Sequence, residues 1–390
     1  MRDLVDTEAV IELTTRLVAV DTRNPPGNEA AIAGACREAL APWSPAWTEI
    51  EPAPGRRSLV AELTHPEGPA RRATLIVNGH LDVVPVDVRA WTHDPFGAEI
   101  EGGRLYGRGT ADMKGGIAAA VCALDVLARA GRVPACNLVF HLVADEECGG
   151  ALGTRALLDA GLIKGDACVV PEPTSMQLCV AERGLLQGHL VFHGRPGHGS
   201  QPRQGISAIE HAAAAVGALH GADFGGPVHP LLGQPTANVG TIEGGNALNV
   251  VAEWCRVGLD RRVLPGATEA STLREVRGRV DALELPNLHY DIEVSVFGEA
   301  SEMPPDAPFA RTVARAVAAA TGTPPAAIGM PFTTDARFVR NQAGIPAVVC
   351  GPGEIACAHI VDEWVALERL VDATAAYAYL FATFGAEPGA

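Results

Sequence analysis

Apolar positions recur at helical spacing over residues 6–20 and 28–41, and Asn24-Pro25-Pro26-Gly27 breaks the chain between them. Short apolar runs follow at Ser58–Leu63, Ala73–Asn78, Asn137–Val143, Ala167–Val170 and Leu178–Ala181. Ala-rich helical stretches stand among them at Gly116–Ala130 and Ala151–Ala160. Strands that are apolar throughout are buried on both faces, so this alternation predicts an α/β unit with a mostly parallel sheet and helices on both faces.

After Arg183-Gly184 the rhythm changes. Leu185–Phe192 alternates, Ile206–Leu219 is helical, and Thr236–Ile242 and Val250–Leu259 read as strands. A helix at Thr268–Ala282 and a strand at Leu288–Val296 complete a β-α-β-β-α-β order, the pattern of a small antiparallel α+β (ferredoxin-like) sheet with two helices on one face. Helices return at 308–320 and 362–382 around the strand Ala347–Cys350. The expected organisation is a discontinuous domain, 1–183 and 297–390, interrupted by a smaller one at 184–296.

Composition narrows the partners. The 390 residues carry a formal net charge of −16, which repels an anionic polyelectrolyte, and no basic stripe reverses that field. Nucleic-acid binding is excluded. Nine cysteines, an odd number with no C-x-x-C pair, argue against a disulfide framework. Charges interrupt the N-terminal apolar residues, and no later apolar stretch reaches the roughly 18 residues of a membrane span. A soluble, cytoplasmic protein without a membrane segment is expected.

Polar residues gather where apolar strands end. His80 and Asp82 follow one such strand, and Asp145-Glu146-Glu147 follow another. Glu172 follows a third, between Pro171 and Pro173. Asp112 stands in the Gly-rich run Tyr106–Gly116 ahead of a long helix, and its surroundings lack the spacing of a phosphate-binding loop. His359 comes shortly after Gly351-Pro352-Gly353. Three adjacent acids at the end of a buried strand are costly without a compensating cation, although a solvated acidic turn would also read this way. Two histidines with at least three carboxylates form the mixed nitrogen and oxygen set that zinc accepts. The carboxyl ends of parallel strands are also where open α/β sheets place their sites.

Together with Val20-Asp21-Thr22 and Pro25-Pro26-Gly27-Asn28-Glu29, these motifs resemble the M20 family of metallopeptidases, in its acetylornithine deacetylase and succinyl-diaminopimelate desuccinylase branch. The resemblance spans essentially the whole chain. It implies a catalytic domain interrupted by a lid or dimerisation domain, two Zn²⁺ per chain (with Co²⁺ or Mn²⁺ as substitutes), and a homodimer through the insertion. It further implies that Asp112 bridges the metals, that His80 and Glu172 complete one site, and that Glu147 and His359 complete the other. Asp82 would orient His80, and Glu146 would be the general base. His198, in Gly194-Arg195-Pro196-Gly197-His198-Gly199-Ser200, would help hold the scissile carbonyl oxygen. Arg262 would bind the substrate carboxylate, with Asn249, Thr334 and Gly353 as further substrate contacts. The peptide bond after Asp112 is expected to be cis. Met113 after that aspartate, and Pro171 where a glycine is usual, depart from the family without removing a ligand.

The implied function is metal-dependent hydrolysis of a linear amide, releasing an acetyl, succinyl or similar group from an amino acid or related small molecule. A di- or tripeptidase or a carboxypeptidase is the near alternative, and Glu at position 172 tilts the resemblance toward deacylation. The alternative of another class is a catalytically silent metal-dependent binding protein. Nucleophilic hydrolysis by Ser200 or Cys357 lacks a Gly-x-Ser-x-Gly elbow or a defined Cys/His pair.

Overall fold

The apolar runs form strands because their β-branched and leucine side chains are buried on both faces of one sheet. The computed structural model describes residues 1–69 and 72–386, and these divide into two compact units. The larger comprises Met1–Val180, Met303–Ile328 and Thr334–Ala390; the smaller comprises Ala181–Glu302 and Gly329–Thr333.

In the larger unit the strands run in space Ala46–Ile50, Ser58–Leu63, Asn137–Val143, Thr74–His80, Ala167–Pro173, Ala347–Gly351, Leu178–Glu182. Adjacent pairs among the four central strands are parallel, and the outer pairs are antiparallel. Asn137–Val143, Ala167–Pro173 and Ala347–Gly351 are buried along their whole length. His80 pairs opposite Val143, and Val349 opposite Val170. Four strand ends therefore open at one edge of the sheet, where a parallel α/β sheet binds its ligand. The helices Thr7–Val18, Lys114–Arg129, Pro308–Thr321 and Leu367–Thr383 pack against one another, and Lys114–Arg129 also packs on the sheet. Asp6 caps the first of them by accepting from the Ala9 amide at 3.1 Å. Gly116 lets the long helix approach closely: a Cβ there would lie 2.2 Å from the carbonyl oxygen of Pro171, the residue before Glu172.

The smaller unit holds a four-stranded antiparallel sheet in the order Thr236–Gly244, Trp254–Val263, Gly184–His193, Tyr290–Gly298. The alternation along Gly184–His193 appears as strictly alternating burial. Leu190, Phe192, Val257 and Leu259 pack with Ala208, Ala212, Ala215, Val276 and Val280 from the helices Ala208–Leu219 and Glu269–Asp281. Ser207 caps the first of these helices, and Thr268 with Ser271 forms a capping box at the second.

Some elements differ from expectation. The helix expected over 151–160 covers only Thr154–Asp159, because Gly150 is left-handed and Gly153 lies against Ala144, a Cβ at Gly153 falling 1.7 Å from its carbonyl oxygen. The helix expected from 362 starts at Leu367, since Trp364–Ala366 is drawn into a ladder with Arg104–Tyr106. Ala46–Ile50 forms an edge strand whose exposed pattern gave no apolar run to read. No helix among the described residues is long and apolar enough to cross a membrane. All nine cysteines are free thiols, and only Cys148 is exposed.

Candidate metal centre

Two groups of side chains at the carboxyl edge of the large sheet have the spacing of cation ligands: His80, Asp112 and Glu172, and Asp112, Glu147 and His359. His80 ends the strand Thr74–His80, and its Nδ1 lies 2.9 Å from the backbone carbonyl oxygen of Asp82. A carbonyl only accepts, so Nδ1 carries a proton, and the neutral ring that binds a cation has its lone pair on Nε2. Nε2 faces Asp112 Oδ1 at 2.9 Å and Glu172 Oε1 at 3.5 Å.

Asp112 turns its other oxygen to the second group. Oδ2 is 3.2 Å from His359 Nε2, which is also 3.1 Å from Glu147 Oε2. The carboxylate of Asp112 thus stands between the two histidines. Its peptide bond to Met113 is cis, as the resemblance implied. His359 has φ 63°, the left-handed region that a non-glycine residue rarely adopts, and its side chain remains half exposed.

The electrostatics follow from this crowding. Loss of hydration and the charge of Glu172 push Glu146 well above the ordinary carboxylate range. Loss of hydration and the neighbouring Asp112 raise Glu172 well above it and Glu147 by less. Burial disfavours a charged His80, but Glu172 and Asp112 outweigh it and raise its pKa well above the usual value. Hydrogen bonds to Asp112 and Glu147 push His359 up to about 11. Without a cation the two imidazoles are held as protonated donors among these carboxylates, in largely buried space. A divalent cation resolves this arrangement at both groups, so the residues present fit a metal of the zinc class.

The three acids 145–147 separate in function. Asp145 has φ 70° and turns its carboxylate inward to Arg56 Nη2 at 3.0 Å and to the Leu152 amide at 3.0 Å. Arg56 also holds Glu29 through two contacts of 2.8 Å. With Asp145 anchored, the chain turns and presents Glu146 and Glu147 in succession. Asp82 supports that turn, and its relation to His80 differs in detail from expectation. Its carboxylate accepts the amides of Glu146 and Glu147 and comes no nearer than 3.7 Å to His80 Nδ1, which its carbonyl holds.

Thr334 and Gly353, expected at the substrate, are both buried in packing positions. Thr334 Oγ1 accepts the Ala336 amide at 3.2 Å and its carbonyl accepts from Arg337. A Cβ at Gly353 would lie 2.4 Å from the Ala111 carbonyl oxygen, so this glycine lets the Gly351–Gly353 turn pass beneath the Asp112 loop.

The other expected residues lie in the smaller unit. His198 and Asn249 sit on adjoining loops: His198 bridges to Val250, and the Gly199 amide donates to the Asn249 carbonyl at 2.8 Å. The Ser200 amide donates to His198 Nδ1 at 3.1 Å. The neutral ring therefore carries its proton on Nε2, the tautomer that can donate outward. Arg262 is gripped by Asp260 through contacts of 2.7 and 3.0 Å. Arg183, which the sequence did not single out, lies within its field: burial and the Arg262 charge both lower the Arg183 pKa. A like-charged pair on neighbouring segments is the signal that reading by single motifs misses.

Residues 76–383 match the model of peptidase family M20/M25/M40. The chain is 32% identical to acetylornithine deacetylase of Klebsiella pneumoniae (strain 342) over 341 residues, covering 81% of each protein. Among solved structures it is similar to aminopeptidase PepT of Bacillus cereus ATCC 10987, with a TM-score of 0.81 at 22% identity, covering 98% of this chain and 100% of that one. It also superposes on the M20 family metallo-carboxypeptidase Sso-CP2 of Sulfolobus solfataricus, with a TM-score of 0.79 at 18% identity, covering 97% of this chain and 99% of that one. The last two likenesses establish the fold, and the family match with the deacetylase identity establishes the lineage. This chain therefore belongs to peptidase family M20/M25/M40 and is a metal-dependent hydrolase.

Proposed function

We propose that this chain is a two-zinc amidohydrolase that removes an acyl group from the nitrogen of an amino acid or a closely related small molecule. The reading rests on the place of Asp112, whose two carboxylate oxygens each face a different histidine within the two candidate ligand groups. Bound cations would bring the pKa of a shared water near neutrality and polarise the scissile carbonyl. Glu146, from the turn that also presents Glu147, accepts the proton of the attacking water and returns it to the leaving amine. His198, protonated on Nε2, donates to the developing oxyanion. Arg262, held by Asp260 and accompanied by Arg183, binds the carboxylate of the amino-acid part. The identity to an acetylornithine deacetylase and the glutamate at position 172 favour deacylation over peptide cleavage.

A homodimer through the smaller unit belongs to the same reading. Ile209, Leu248 and Val250 are exposed apolar side chains lining an open cavity of about 1010 Å³ in that unit. A cytoplasmic setting agrees with nine free thiols.

The test combines elemental analysis with a panel of N-acetyl, N-succinyl and other N-acyl amino acids, alongside di- and tripeptides, before and after chelation. About two zinc ions per chain and chelator-sensitive release of free amine from the acyl substrates is the expected result. Preferential cleavage of the peptides moves the assignment to a peptidase. Metal binding without turnover of any amide moves it to a binding protein.

A further inference from the structure

The ligands of the candidate centre are not equally supported. His80 and Glu172 stand on strands of the buried sheet, at Thr74–His80 and Ala167–Pro173. His359 stands on a loop, with φ 63° and a half-exposed side chain, and the sheet does not hold it. Asp112 also stands on a loop, just before the helix that begins at Lys114. What fixes these two against each other is a buried carboxylate four residues beyond His359.

Glu363 has no exposed surface. Its Oε1 accepts three backbone amides of the Asp112 loop: Gly109 at 3.0 Å, Ala111 at 2.9 Å and Asp112 itself at 3.1 Å. Its Oε2 is ion-paired with Arg108, and its carbonyl accepts the Gly107 amide at 2.8 Å. Arg108 Nη2 reaches on to the carbonyl of Ile360, the residue after His359, at 3.2 Å. The Asp112 loop and the His359 segment are thus joined from Gly107 to Asp112 on one side and from Ile360 to Glu363 on the other. Amides of one tight loop converging on one anionic oxygen make a strong anion-binding concavity, and here the anion belongs to the chain.

We infer that Glu363 is a positioning residue that sets the spacing between Asp112 and His359, so that its loss weakens the cation position of Asp112, Glu147 and His359 more than that of His80, Asp112 and Glu172. The inference rests on the metal-centre reading above and adds to it a hierarchy between the two positions. The asymmetry follows from the supports. Removing the clamp leaves the strand-borne ligands in place but frees the one histidine that only loops hold.

The probe is cobalt alone, titrated into metal-free full-length protein and followed by calorimetry and visible absorption. Glu363→Asp keeps the charge and the partner of Arg108 while drawing the carboxylate back from the three amides. The double variant R108Q/E363Q replaces the buried ion pair with a neutral amide pair and serves if the aspartate variant does not fold. The wild type is expected to fill in two steps. In the variants one step should weaken by about 10–100-fold, the usual cost of losing a partner that orients a ligand. The other step should change by much less, and H359A should abolish the step that the variants weaken. Two unchanged steps in a folded variant, or equal weakening of both, overturns the inference while leaving the metal centre standing. A wild-type protein that takes up no cobalt overturns the metal-centre reading and this one with it.

Discussion

The carboxylate of Asp82 accepts the backbone amide of Glu146 at 3.1 Å and that of Glu147 at 3.2 Å. Through its carbonyl the same residue holds His80 Nδ1 at 2.9 Å, and Asn24 Nδ2 donates to its Oδ2 at 2.9 Å. One aspartate therefore fixes the direction of a candidate ligand, a second ligand and the candidate base. Asp82→Asn keeps the carbonyl and hence the tautomer of His80, but brings an amide NH₂ toward two donors. Turnover should fall by about 10–100-fold while bound metal, measured by elemental analysis, falls far less. Loss of metal in proportion to activity would show instead that Asp82 acts mainly through His80.

Glu146→Gln removes the acceptor of the water proton and keeps the shape of the side chain. The expected loss in kcat is about 10²–10⁴-fold, with metal content unchanged and KM changed little. Substantial turnover by the fully metal-loaded variant would place the base elsewhere.

What the sequence made legible is governed by where each group sits in the chain. His80, Glu146, Glu147 and Glu172 could be read because each comes at or just after an apolar strand, and parallel strands bring such ends together without any knowledge of register. Asp112 and His359 depended on resemblance, since a glycine-rich run and a lone histidine carry little signal alone. The cluster Glu29–Arg56–Asp145 was invisible, because its members are far apart in the chain and nothing in the sequence marks Arg56 as the partner of either acid. The direction of a carboxylate is equally hidden: only coordinates show that Asp82 turns toward Glu146 and Glu147. The packing of Gly353 is hidden in the same way: the sequence shows only a conspicuous Gly-Pro-Gly, and the structure shows that a Cβ there would meet the Ala111 carbonyl.

Arg262 provides a test that separates substrate recognition from chemistry. It is half-buried and bidentate to Asp260, so it is oriented before any ligand arrives. A charged hydrogen bond contributes about 1.5–3 kcal/mol, so Arg262→Met should raise KM for an N-acyl amino acid by roughly 10–100-fold with kcat less affected. The corresponding N-acyl amino-acid amide, which lacks the carboxylate, should bind both proteins equally poorly. An equal loss on both substrates would remove the carboxylate from the role of Arg262.

Arg56 tests how the turn at Asp145 is held. Its guanidinium is buried with Glu29 and Asp145, and a Cβ on Gly27 would lie 2.3 Å from its Nε. Arg56→Met leaves two buried carboxylates without a cation, a loss of about 3–5 kcal/mol. The urea midpoint should fall accordingly at pH 7. A variant as stable as the wild type would mean that the two acids are neutralised by protonation or by water.

His141 ties stability to pH through a group away from the candidate ligands. It lies within the strand Asn137–Val143 with no exposed surface, and burial pushes its imidazole down from the usual 6.5 to about 4. The unfolded chain therefore binds this proton more tightly than the folded one, and stability rises with pH wherever that difference operates. The contribution is complete above about pH 6.5 and is lost as pH falls toward 4. At 1.36 kcal/mol per unit, the loss at the acid end is on the order of 3 kcal/mol. His141→Gln cannot take up a proton, so its urea stability should fall less than that of the wild type between pH 7 and pH 4.5. Both proteins share every other acid-sensitive group, so the difference between the two slopes isolates His141. Parallel slopes would show that the folded protein accommodates the charged imidazole without cost.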